Sequence, residues 1–524
     1  MKRLLMHSVA PTLALILALP AAAQDFDLPP DLPGAGDVSV DPQPEPVEAP
    51  GALEAAETTP GGPELPPEVA GSELPPDLPG ELPPEVEMTE ALPEDGVIPE
   101  GDISADGEAM LASEERRGMR HGTLELEARA FHNTDINGDS ENAFRLSAHY
   151  FGTREITDST SLLFNLRARA DTVSGRSFRF EDDFNFDVQE LAFSFALGPQ
   201  TTLQLGRINI RNGVATGYNP TDWFKDDSLV VTGSAAPADR RNERLGVFAL
   251  TGTTTIGQTL VTAGYRPEID ADLGTGWTDA DNYGLQLHRT NPSDAWFLKV
   301  TPPTGDNLSL TANAVLIDGD PGFGFELSGG VGDNLVLYTE VMAQKRLSIA
   351  DEALGTSLGS LGFRDGVGAG AGKDWHYSAA VGMNWALPMQ LVGQQDISVT
   401  LEYHLNTAGL TGSQIDALAG ATGLDGLAAG AIYGVASRRQ EPLAEQQVFT
   451  RAAWNNIWGD SDLSLLGFYV PHDGSGLAQI SYDVPVGQNG KFNLRGMTTF
   501  GDDTSIYGAN PNKSSIQMGY TFTF

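Results

Sequence analysis

Ile516-Gln517-Met518-Gly519-Tyr520-Thr521-Phe522-Thr523-Phe524 ends the sequence and places a large apolar side chain at every second position. A period of two is that of a β-strand, whose successive side chains point to opposite faces. Working outward, the pattern recurs. In Thr160–Asp171, Leu162, Phe164, Leu166, Ala168 and Ala170 share one face, and Asn165, Arg167, Arg169 and Asp171 the other. In 374–385, Trp375, Tyr377, Ala379, Val381, Met383 and Trp385 alternate with His376, Ser378, Ala380, Gly382 and Asn384. In 396–406, Ile397, Val399, Leu401, Tyr403 and Leu405 alternate with Ser398, Thr400, Glu402, His404 and Asn406. Segments of about ten residues match a tilted strand crossing a bilayer.

Charges on one face exclude a dry sandwich core, and aromatic residues gather at segment ends, as at membrane interfaces. Apart from the N-terminal leader, no apolar run reaches the roughly 18 residues of a membrane helix. Only helices and closed barrels satisfy their backbone groups in lipid. The expected fold is therefore all-β, a single transmembrane antiparallel β-barrel. Turn signals such as Val331-Gly332-Asp333-Asn334 and Gly487-Gln488-Asn489-Gly490 separate the segments. About 19 candidate strands can be drawn, but single-chain bacterial barrels have an even number, so the expectation is about 18, within roughly 16–20. Ser228–Thr232 is a possible short extra strand.

The final strand resembles the C-terminal strand of outer-membrane porins, whose terminal aromatic is read by the barrel-assembly machinery. That resemblance assigns the assembly signal to Tyr520, Phe522 and Phe524. The motif covers the last ten residues and the strand pattern about 400. It implies an outer-membrane location, lipid and lipopolysaccharide as surroundings, and a channel for passive diffusion of small hydrophilic solutes or ions. Two other readings stay open: the barrel of a polysaccharide or other export system, and a structural or adhesive outer-membrane protein.

The start of the chain has a different composition. Residues 1–23 read as a signal peptide, with Lys2 and Arg3 ahead of Leu13-Ala14-Leu15-Ile16-Leu17-Ala18-Leu19 and a small-residue cleavage site at Ala21-Ala22-Ala23. Residues 24–118 read as a disordered, acidic, proline-rich periplasmic linker, and 119–524 as the barrel. Between Gln24 and Glu115 there are about 25 acidic residues and no basic one, so the linker carries much of the net charge of −40. The motif Asp27-Leu28-Pro29-Pro30-Asp31 returns at Glu64–Glu68, Glu73–Asp77 and Glu81–Glu85. Each Pro-Pro pair favours polyproline II. The segment is either an entropic spacer or a docking site for a periplasmic partner. Acidity on this scale argues against nucleic acid. The absence of cysteine excludes disulfides, thiolate metal sites and a cysteine nucleophile.

The lumen candidates centre on Gly206-Arg207-Ile208-Asn209-Ile210-Arg211-Asn212-Gly213 and the following Gly217-Tyr218-Asn219-Pro220-Thr221-Asp222-Trp223-Phe224-Lys225. This strand end resembles those of several porin-like and polysaccharide-exporting barrels, without assigning one. From a periplasmic start, the connection after the fifth strand is extracellular. In porins the loop there folds inward and sets the constriction. That analogy puts Asp222, Asp226 and Asp227 at an eyelet, opposed by Arg145, Arg167 and Arg169, with Arg207 at the strand end. Opposed charges would orient polar solutes. A surface loop with solvated charges is the alternative. Two further long connections, 347–373 and 407–446, are placed outside, with Gln414–Ala419 helix-compatible.

Asp135, Asn137 and Asp139 resemble the first half of a calcium loop, but a polar hairpin turn explains them better. His472-Asp473 is the nearest match to a barrel-protease rim pair, yet Pro471 and Gly474 point to a tight turn. No cofactor, metal or enzymatic activity is expected.

Overall fold

The computed structural model describes residues 122–524, apart from 231–232, 271–282, 306, 356–366, 368–371, 394, 420 and 422. The signal peptide and the linker of 24–118 lie outside the described residues.

Among the described residues nineteen strands, from β1 (Thr123–Asp135) to β19 (Asn512–Thr523), form one sheet. One of them, β8 (Tyr283–Gly284), is two residues long and runs parallel to β4 (Phe184–Gly198). The other strands pair antiparallel with their chain neighbours, and β7 (Thr259–Arg266) pairs directly with β9 (Ala295–Thr301). β1 pairs with both β2 (Ser140–Thr157) and β19, which closes an 18-stranded barrel. The even count of 18 holds, because β8 is only a two-residue pairing on the edge of β4 beyond the end of β5 (Thr201–Ile208) and is not a member of the ring. Ser228–Thr232 adds no barrel strand. Leu229 makes only an isolated bridge to Arg244, and Val231 and Thr232 lie outside the described residues.

Closure leaves no edge in lipid, so the faces must match their surroundings. The outer face is apolar. Leu146, Val381, Leu401, Ile480, Ile516 and Met518 are exposed there. Their inward neighbours Ser147, Ala380, Glu402, Gln479 and Gln517 are buried. An exposed apolar belt around a polar interior is the pattern of a barrel seated in a membrane. Among the described residues no helix is long and apolar enough to cross one. Tyr520, Phe522 and Phe524 all lie on the outer face, and the Phe524 amide donates to the Leu124 carbonyl at 2.9 Å.

Turns 158–159, 199–200, 257–258, 332–334 and 487–489 share one end of the barrel. The long connections 209–246, 267–294, 347–373 and 407–445 all leave from the other. Gly332 and Gly487 have φ of 65° and 70°, the left-handed geometry that such tight turns require. Asp135, Asn137 and Asp139 form the β1–β2 hairpin turn. One Asp135 carboxylate oxygen accepts the amides of Asn137 and Asp139, each at 2.8 Å.

The lipid-facing assignment predicts the effect of burying a charge there. Val381→Arg, near the middle of β13 (Asp374–Ala386), should destabilise the folded barrel by about 2–4 kcal/mol. Reversible denaturant unfolding from lipid vesicles measures it. A cost near zero would place this face away from lipid.

Candidate functional site

The connection 209–246, which follows β5 (Thr201–Ile208), turns into the barrel and crosses it. Its outgoing limb reaches β12 (Leu335–Arg346) and β14 (Asp396–Asn406), roughly half a circuit away. There two buried carboxylates receive it. Glu340 accepts the amides of Val214 at 3.0 Å, Ala215 at 3.2 Å and Thr221 at 2.6 Å, and the Thr221 hydroxyl at 2.8 Å. Glu402 accepts the amides of Thr216 at 2.5 Å and Gly217 at 2.8 Å, and the Tyr338 hydroxyl at 2.6 Å. The limb's carbonyls are satisfied from its other side. Arg241 donates to the carbonyls of Ala215 at 2.8 Å and Thr216 at 3.1 Å. Charge-assisted bonds of this kind are the strong ones.

Two glycines make the close approach possible. A Cβ on Gly213, whose φ is +104°, would sit 2.7 Å from a Glu340 carboxylate oxygen. A Cβ on Gly217 would sit 2.9 Å from Glu402 and 2.6 Å from the Phe449 ring.

The return limb is held by the arginine-bearing wall. Arg167 pairs with Glu243, and the Arg169 guanidinium donates to the Val230 carbonyl at 3.2 Å. Arg207 donates to the Gly246 carbonyl at 2.8 Å and also to Leu285. Arg145 binds Asp171 on the neighbouring strand at 2.5 Å. Three of the four sequence-selected arginines thus fasten the inward segment.

The aspartates separate. Asp222 is 2 % exposed and is held by Arg244. Asp227, with φ of 53°, pairs with Arg438 at 3.3 Å. Asp226 keeps an exposed side chain. In place of three aspartates facing three arginines, the structure puts the main acidic groups on the far wall. Those are Glu340, Glu402 and Glu326, and Glu326 accepts from the Asn313 side-chain amide at 2.5 Å. Sequence reading placed Glu402 on a polar face and did not single out Glu340. The available signal was a lone carboxylate at an inward position of a strand.

Above the segment sits a helical cap. It comprises the helices Ile349–Gly355, Gly412–Leu418 and Leu424–Arg439. Their buried side chains, among them Ile349, Leu354, Ile415 and Ile432, form one apolar cluster with Val470 and Ile506. Thr411 and Gln414 form a capping box at the start of the second helix. Arg438 and Arg439 both pair with Glu352, and the Asp227 amide donates to the Arg438 carbonyl at 3.0 Å. The cap therefore rests on the inward segment. Burial would raise the Glu441 carboxyl, but Arg346, Lys225 and Arg439 hold it down at about 2. Desolvation by the protein packed around Asp226, with Glu441 nearby, pushes its carboxyl up to about 6 against the pull of Arg439, Lys225 and Arg346.

His472 contacts Asp416 at 3.0 Å, and Asp473 accepts the amides of Ser475 and Ile506. Asp473 is thus engaged in shaping its turn. Among the described residues no group of three or more His, Asp or Glu side chains could hold a metal ion.

The anchors predict a specific failure. Glu340→Ala with Glu402→Ala removes the acceptors of at least five backbone amides, each such bond being worth about 1.5–3 kcal/mol. The barrel should still migrate as a folded, heat-modifiable band, while limited proteolysis should cut within 209–246. An uncut segment in the double variant would show that other contacts hold it.

No protein-family model matches the chain, and no curated protein does. Solved structures do resemble it. Pseudomonas aeruginosa OccD3 (OpdP) is 11 % identical with a TM-score of 0.39, over 77 % of this chain and 91 % of that one. Pseudomonas aeruginosa OpdQ is 9 % identical with a TM-score of 0.43, over 77 % and 98 %. Pseudomonas putida OprB is 8 % identical with a TM-score of 0.41, over 77 % and 94 %. Identities and scores at this level carry no inference about activity.

Proposed function

We propose that this protein is an outer-membrane channel for passive diffusion of small hydrophilic solutes or ions, narrowed by the segment 209–246. The observation that carries this reading is the wall-to-wall span of that segment, tied to Glu340 and Glu402 on one side and to Arg167, Arg169 and Arg207 on the other. A barrel meant to be inert could fill its lumen with apolar side chains. This one lines it with charges and holds the segment 209–246 across it. Arg145, Arg167, Arg169 and Arg207 supply the cationic side of the constriction. Asp226 supplies the acidic side, because its carboxylate stays open while Asp222 and Asp227 are engaged in pairs. We assign the chain no catalytic role.

The flanking parts fit the same reading. Residues 1–23 would direct export, 24–118 would serve as a periplasmic tether whose Leu-Pro-Pro repeats can engage a partner, and Tyr520, Phe522 and Phe524 would be read by the barrel-assembly machinery. Lipopolysaccharide would surround the outer half of the barrel.

Planar-bilayer recording of the purified chain tests the proposal. Steady channels are expected, and a folded preparation that stays silent would refute it. Asp226→Lys should move the reversal potential in a salt gradient toward anions. The same direction is expected of the wild type as pH falls through about 6, since protonation removes the Asp226 negative charge. Unchanged reversal potentials in both experiments would remove Asp226 from the constriction.

A further inference from the structure

Between the inward segment and the cap lies a cavity of about 330 Å³. Its lining is chemically mixed: Lys225, Arg240, Arg241 and Arg244 come from the inward segment, and Val470, Leu477, Ile506 and Tyr507 from later parts of the chain. Among the lining residues Glu441 is the one carboxylate, and it is paired with Arg346 at 2.7 Å.

Three of the four cations are occupied. Lys225 donates to the Asn219 carbonyl at 2.8 Å and lies 4.5 Å from the centre of the Tyr218 ring. Arg241 binds the carbonyls of Ala215 and Thr216, and Arg244 pairs with Asp222. Arg240 differs. Among the described residues no hydrogen bond or ion pair is made by its guanidinium, and the ionisable groups that act on it are Arg244 and Tyr507. A half-buried cation beside a second cation, with no counterion, is an unfavourable arrangement that an anion would relieve.

We infer that this cavity binds a small organic anion with an apolar body, its headgroup at Arg240 and its body against Val470, Leu477 and Tyr507. The volume suits a solute of drug-fragment size, and a lining that combines an unpaired cation with apolar side chains selects an amphipathic molecule over an inorganic ion. The inference depends on the diffusion reading only in treating the anion as a transported solute. Binding itself does not require it.

Titration calorimetry of the purified, folded full chain tests it with three matched probes: 3-phenylpropionate, 3-phenylpropanamide and 3-phenylpropylamine. Saturable binding of the acid is expected, about tenfold or more tighter than the amide, with no binding of the amine. Arg240→Gln should erase the difference between acid and amide, and Arg240→Lys should restore part of it. Heat-modifiable migration confirms that each variant folds. Equal affinity for acid and amide, no binding of the acid, or an unchanged affinity in Arg240→Gln would overturn the inference. Steady conductance without binding refutes this site and leaves the channel standing. Binding without conductance does the reverse.

Discussion

A length of irregular backbone laid across the inside of a barrel exposes amide groups that no strand ladder can pair. Here the far wall supplies the acceptors. The carboxylates of Glu340 and Glu402 collect the amides of Val214, Ala215, Thr216, Gly217 and Thr221, while Arg241 takes the carbonyls behind them. Buried charge is tolerated only when it is hydrogen-bonded in this way. Each carboxylate is satisfied by several donors, so the arrangement fixes the path of the segment as well as stabilising it. The cap depends on it in turn. Asp227 and Lys225, both on the segment, receive Arg438 and Gln440 from the cap's long helix and the residue after it.

The interior is therefore built in tiers. The barrel positions two walls of opposite charge. The segment bridges them and leaves Asp226 open. The helices close over the segment through an apolar cluster and a few ion pairs, and the cavity containing Arg240 lies where segment and cap meet. Each tier uses the one beneath it as its surface, so changes at the wall carboxylates should propagate upward to the mouth.

The barrel was legible in the sequence because its rule is local. A period of two at Leu162–Ala170, Trp375–Trp385 and Ile516–Phe524 reports which face each residue occupies, and the observed faces agree. The even-strand requirement also recovered the count of 18 from about 19 candidates, and the two-residue β8 is too short to carry a period of two. The site was less legible because its contacts are remote. Glu340 meets Val214 across 126 positions and Glu402 meets Thr216 across 186. Nothing in the neighbourhood of either glutamate announces a partner at that distance. Burial of Asp222 was hidden for the same reason, since it follows from where Arg244 comes to rest. The helix Leu424–Arg439 was missed because Gly426, Gly430 and Gly434 weaken its intrinsic propensity. Packing of Ala428, Ile432, Val435 and Ala436 into the cap compensates.

The chain contains no cysteine, so a single introduced thiol is chemically unique. The most direct test of the central claim, that the segment 209–246 sets the narrowest point, is single-channel current through Asp226→Cys before and after reaction with a bulky methanethiosulfonate. The account predicts a clear stepwise drop in current on modification. Complete modification by mass spectrometry with an unchanged current would contradict it.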